Sequence, residues 1–137
     1  MFQGLTGKRD QSAGTDINTL FCPMLDARRM EVYYAIYDVN GKAIKDISAE
    51  IITEDSFINI PEFQKIIIFG EGAAKCKEVI KRGNVHFADD FRISATHMYK
   101  PVFQAIKNHV YEDVAYFEPF YLKDFITSIP RKNILGK

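Results

Sequence analysis

The sequence predicts an α/β fold built on a mixed sheet. Three observations carry that expectation. Residues 29–39 alternate with a period of two, and an Asn-Gly pair leads from them into a second run of strand character, which together read as an antiparallel hairpin. Residues 65–69 form a short unbroken apolar run, the mark of an interior strand paired in parallel. Helical periodicity becomes prominent only after that run, so a meander of strands comes first and strand–helix units follow it.

Residues 1–16 read as a loop, or as the remnant of a preceding element, because they are polar and contain glycine; residues 17–137 read as one domain. A strand is expected over Asn18 to Leu25, with Pro23 limiting its pairing to one side at that point, because proline has no N–H. In the next strand Met30, Val32, Tyr34 and Ile36 alternate with Glu31, Tyr33, Ala35 and Tyr37. Asn40 and Gly41 both tolerate positive φ and mark the turn. The return strand, 42–52, has Ile44, Ile47 and Ile51 as its apolar points, and its imperfect alternation suggests a bulge. Thr53 is a candidate N-cap for a short helix through Phe57, with Glu54 and Asp55 in its first turn.

After the 65–69 strand, Gly70-Glu71-Gly72 opens a helix whose buried face is Ala73, Cys76, Val79 and Ile80 and which stops at Gly83. A short strand follows at 84–87. Ser94 caps a long helix with a buried stripe of Ala95, Met98, Val102, Ile106 and Val110; Pro101 inside it should kink or split it. Tyr116, Phe117, Phe120, Tyr121 and Phe125 then crowd around Pro119; most are expected to pack across the sheet edge, and some against a further half of the fold that this chain lacks. A meander feeding β-α-β crossovers is the order of a ribonuclease H-like domain, the unit that is doubled in the actin, hexokinase and Hsp70 group.

Composition narrows the function classes. Apolar residues make up 47% and charged residues 26%, a globular balance. Eighteen basic residues meet eighteen acidic ones, so no net field draws the chain to a phosphate backbone, and any link to RNA should run through a partner protein. Cys22 and Cys76 form no CxxC and are expected as reduced, buried thiols. No secretory segment and no apolar run of membrane length appears, which points to a cytoplasmic protein that does not engage a membrane.

Catalytic patterns are weak. His86, His97 and His109 form no HExxH and no i, i+4 pair, so no metal site is expected. There is no GxSxG. Asp26, Glu31, Glu54 and Glu71 do not have the spacing of a two-metal nuclease. The turn Asp26-Ala27-Arg28-Arg29 has no phosphate-cradling glycine; an Arg28–Asp26 or Arg28–Glu31 pair would lock it. Gly70 and Gly72 fit either an anion or nucleotide site at a helix N-terminus or a tight strand-to-helix turn.

Three segments resemble one known family. Asp26-Ala27-Arg28-Arg29-Met30-Glu31-Val32-Tyr33 is similar to the DAR-x-x-EVY signature of the TsaB (YeaZ) family, and Phe69 to Ala73 resembles its later G-x-G-A turn. Glu118-Pro119-Phe120-Tyr121-Leu122-Lys123 resembles its closing EP-x-YLR, with Lys123 in place of the arginine. Order and spacing agree over residues 17 to 130, and Pro101 in the last helix fits as well. The resemblance implies the second half of a doubled ribonuclease H-like fold, whose first half, opening on an Asp-Thr-Ser strand, this chain lacks. It implies a scaffold and activator without catalysis or cofactor in forming threonylcarbamoyladenosine on tRNA. Its partners would be TsaD and TsaE homologues, with pairing to itself a further expectation and tRNA reached only through the complex. Asp26, Arg28, Glu31 and Tyr33 would then be structural or partner-facing, with Glu118, Pro119, Tyr121 and Leu122 as the closing motif. The alternative is an enzyme: a glycoprotease-like domain of peptidase family M22, or an actin-like nucleotide-binding domain.

Overall fold

The computed structural model describes residues 16–123. The loop expected over residues 1–16 lies, Asp16 apart, outside the described residues, as does Phe125. The described chain is a mixed α/β fold with one five-stranded sheet, in the order β3-β2-β1-β4-β5. Strands β1 (Thr19–Asp26), β2 (Glu31–Tyr37) and β3 (Ala43–Ile51) form an antiparallel meander. Strands β4 (Lys65–Phe69) and β5 (Val85–Ala88) extend the sheet on the far side of β1, each in parallel. The unbroken apolar run of β4 thus has a parallel neighbour on both sides. Pro23 is aligned with Phe69 on the β4 side, whereas the β2 side is paired at Phe21, Met24, Leu25 and Asp26.

Period two in β2 assigns the faces. Val32, Tyr34 and Ile36 join Leu20, Cys22 and Met24 of β1 and Ile66 and Ile68 of β4 in one buried cluster. Over that face lie Ile52, Phe57, Ala73, Cys76 and Ile80. The opposite face buries Phe21, Ala35 and Phe69; Phe91 meets Phe69 edge-on at 4.7 Å, and His97 stacks on Phe91 at 5.1 Å.

The β2–β3 connection is a hairpin, but only Gly41 has positive φ (82°); Asn40 does not. The loop Val39-Asn40-Gly41 is closed by Asp38 N–H to Lys42 O at 2.9 Å, with Gly41 N–H bonded to Asp38 O. This three-residue form needs a single left-handed residue, and glycine takes it. The expected irregularity in β3 is present as register shifts around Ile36. Its apolar points Ile44, Ile47 and Ile51 are exposed, because β3 is an edge strand and its covered face carries Lys45 and Glu50, bonded to Tyr34.

No helix forms at 53–57. Successive turns run there instead, and Phe57, at φ 70°, cannot continue a helix. The Ser56 hydroxyl accepts from Thr53 N–H at 2.9 Å, a local bond that competes with helix formation. The strained residue is held because its ring packs edge-on against Tyr34 at 5.6 Å, and because Arg82 donates to the carbonyls of Phe57 and Ile60.

Helix α1 (Ala73–Cys76) is a single turn, shorter than expected. Its buried side is nonetheless the expected one: Ala73, Cys76 and Ile80 are buried, and Val79 packs against them. The long helix is not divided at Pro101; it changes form along its length. A 3-10 turn, Ala95–Met98, is capped by the Ser94 hydroxyl, and α2 (Tyr99–Lys107) follows. Pro101 therefore falls in the first turn of α2, where a missing N–H costs nothing. The expected buried stripe does not pack: Met98, Val102, Ile106 and Val110 are all exposed. The aromatic tail is likewise exposed, with Phe120 at 77% and Tyr121 at 82%. No helix among the described residues is long and apolar enough to cross a membrane.

Candidate functional site

The carboxyl ends of β1 and β4 emerge side by side, since Pro23 is aligned with Phe69. From there the chain leaves in opposite directions, β1 toward β2 and β4 through α1 toward β5. In open α/β sheets such a switch point is where a groove opens and ligands are met. Two of the three segments singled out in the sequence meet at this corner, and the third reaches it through Lys123.

The Gly70–Gly72 turn docks directly on the end of β1. Gly70 has φ 102°, and a Cβ there would stand 2.4 Å from Met24 O. A Cβ on Gly72 would stand 2.9 Å from the carbonyl of Leu25. Only glycine permits this approach. Gly72 N–H donates to Met24 O at 3.2 Å and Ala73 N–H to Gly70 O at 3.1 Å. Those amides are engaged within the turn, which is how a strand-to-helix junction uses them and not how an anion cradle does.

Lys75, on α1, binds the β1–β2 loop to this turn. Its ammonium donates to Asp26 Oδ1 at 2.5 Å and to the carbonyls of Arg29 and Glu31, each at 2.7 Å. All three of its donors are thereby satisfied. The bond from Lys75, and then the Arg28 amide at 2.8 Å, hold the Asp26 carboxyl below its ordinary value. Lys123, from the closing motif, pairs with Glu31 and lies 5.5 Å from the centre of the Tyr33 ring. Residues 92 positions apart are joined in this contact.

The loop is thus locked by lysines and not by Arg28. Among the described residues the Arg28 and Arg29 side chains form no ion pair, and both are exposed. Of the closing motif, Lys123 reaches the corner and Leu122 is half-buried, while Glu118, Pro119 and Tyr121 face solvent. Lys75 gave no signal in the sequence: its partners are 44 to 49 residues away, and nothing in its neighbourhood sets it apart from other helix lysines.

A second polar cluster lies on β2 and β3. The Tyr34 hydroxyl donates to Glu50 Oε2 at 2.7 Å, and Lys45 donates to both the Tyr34 oxygen and Glu50 Oε1 at 2.5 Å. Burial pushes the Tyr34 hydroxyl up to about 12. Burial opposes the charge on Glu50, but the bonds from Lys45 and Tyr34 outweigh it and the carboxyl lies below its ordinary value. A tyrosine raised in this way is a poorer base or nucleophile, so the cluster works as a cross-strand tie.

Among the described residues no group of three His, Cys, Asp or Glu side chains is placed to hold a metal ion. Cys22 and Cys76 are free and buried, and desolvation raises both thiols above their ordinary value. Neither is a reactive thiolate. No protein-family model matches the chain, and no curated protein matches it.

Proposed function

We propose that the chain is a non-catalytic scaffold domain of the TsaB kind, serving threonylcarbamoyladenosine formation on tRNA in contact with TsaD-type and TsaE-type proteins. In this reading it is a ribonuclease H-like domain, the second half of a doubled fold. The observation that carries the reading is the contact between its first two motif segments, which the third joins through Lys123. Asp26 to Tyr33, Gly70 to Gly72 and Lys123 are far apart in sequence, yet they share one corner through Lys75 and the Lys123–Glu31 pair. Motifs that resemble one family in order and spacing, and that also make one another's contacts, are hard to attribute to chance. The mixed five-stranded sheet is compatible with an α/β domain of this kind. The corner holds ion pairs and engaged amides, which suits a surface that is held in shape for a partner better than one that performs chemistry.

The test is capture of the same organism's TsaD-type transferase at moderate salt, by the chain alone and by the chain joined to a TsaB-type first half. Capture that Lys75→Ala with Lys123→Ala weakens at least about tenfold, roughly 1.4 kcal/mol, is the expected result. Failure of both forms to capture it sinks the proposal. A calorimetric heat of binding for ATP with magnesium would return the nucleotide-binding alternative.

A further inference from the structure

Two hairpin loops of equal length in this sheet are made from opposite materials. The β1–β2 loop, Arg28-Arg29-Met30, is closed by Ala27 N–H to Glu31 O at 3.1 Å; the β2–β3 loop is closed by the equivalent bond from Asp38 to Lys42. An aspartate stands at the entry of each, Asp26 just before the closing Ala27 and Asp38 as the closing residue itself, and its Oδ1 accepts the amide two residues on, Arg28 in one and Asn40 in the other. The second loop has one left-handed residue, and it is glycine. The first has two in succession, Arg28 at φ 74° and Arg29 at φ 48°. A side chain with a Cβ is disfavoured there, and asparagine or glycine would fold more easily. The backbone of the loop therefore does not explain its residues; the side chains must.

The charges around the loop point the same way. Its two carboxylates are already taken, Asp26 by Lys75 and Glu31 by Lys123. Both lysines come from remote elements, and together they neutralise the acids that would otherwise claim the arginines. Two exposed guanidinium groups remain without an ion pair among the described residues. A guanidinium is a planar fork that binds a carboxylate through two parallel hydrogen bonds.

We propose that Arg28 and Arg29 form a docking point for a partner protein that presents a pair of carboxylates. Discrete carboxylates are favoured over a nucleic-acid backbone because the unpaired cationic groups of the loop are confined to two adjacent arginines, each of which matches one carboxylate. A continuous run of phosphates would need a longer basic track, whereas two acidic side chains can meet the guanidinium groups alone. The chain's balance of eighteen basic and eighteen acidic residues adds no general attraction for a polyanion. The inference stands apart from the tRNA-modification reading, since it needs only an acidic protein surface.

The test is an NMR titration of the isotope-labelled full chain with a hexaglutamate peptide and, separately, with a single-stranded oligouridine of equal charge. Hexaglutamate should shift the Arg28 and Arg29 Nε–H signals, and the double variant Arg28→Asn, Arg29→Gly should bind it at least about tenfold more weakly. The same variant should unfold at a higher urea concentration than the parent, which guards against a loss caused by misfolding. Lys81→Ala, which removes a cation outside the cluster, should leave affinity within about twofold. Unmoved arginine signals, undiminished binding by the double variant, equal losses in the Lys81 variant, or tighter binding of oligouridine than of hexaglutamate would each overturn the proposal.

Discussion

The two faces of the sheet are drawn from the same residue types and end differently. On one, Met24, Val32, Ile66 and Ile68 are completely buried beneath α1 and the turns around Phe57. On the other, Phe21, Ala35 and Phe69 are buried, but Ile47 and Ile51 remain 52% and 68% exposed. The apolar stripe of α2, which could have covered such a surface, contains no buried residue. The difference lies in the connections. The sealed face is covered by the segments that link β3 to β4 and β4 to β5, and these are tied at both ends to strands they must rejoin. Among the described residues the cover on the other face, Phe91 and His97, comes from the chain beyond β5, which carries no such constraint. Burial here follows tethering more closely than it follows hydrophobicity.

Substitutions sharpen this contrast, beginning with the largest effect. Ile68→Ala, on the sealed face, should lower the free energy of unfolding by about 2–5 kcal/mol. Ile51→Ala, on the open face, should change it by no more than about 0.5 kcal/mol. Urea unfolding of both variants checks this, and equal losses would mean that the open face is covered after all. Gly70→Ala should cost about 1–3 kcal/mol through its left-handed φ and its contact with Met24 O. Gly83→Ala, with nothing within 4 Å of its added Cβ, should be neutral or slightly stabilising.

Two smaller effects are read from pH. Tyr34 is raised from 10.0 to about 12, so the stability tied to its neutral hydroxyl is complete below pH 10 and is lost as pH rises toward 12. In an absorbance titration one of the seven tyrosines should ionise late, and Tyr34→Phe should abolish that late step. Asp26 is shifted the other way. Its contribution is present above its ordinary value of 3.8 and is lost as pH falls through the lowered one. Asp26→Asn should therefore be less stable than the parent at neutral pH, with the gap closing in acid. A gap that persists in acid would mean that Asp26 acts through something other than its charge.

Much of the fold is legible in the residues. Alternation in β2, the unbroken run in β4 and the glycine turn before α1 are local patterns, and each answers to backbone geometry within a few residues. The corner is legible only in part. The glycines announce a close approach, and the acids stand in a recognisable motif. That Lys75 and Lys123 neutralise those acids, leaving Arg28 unpaired, depends on which remote elements reach the loop.

The sequence by itself determined the strands, their alternating faces and the β2–β3 hairpin, because these follow from φ restriction and side-chain period. Tertiary structure alone decided three things: that turns replace a helix at 53–57, that α1 stops after one turn, and that α2 buries nothing. Each depends on whether a distant surface stands close enough to repay the ordering of the chain. Phe57 finds Tyr34 and is held at an unfavourable φ, while the stripe of α2 finds no such partner among the described residues.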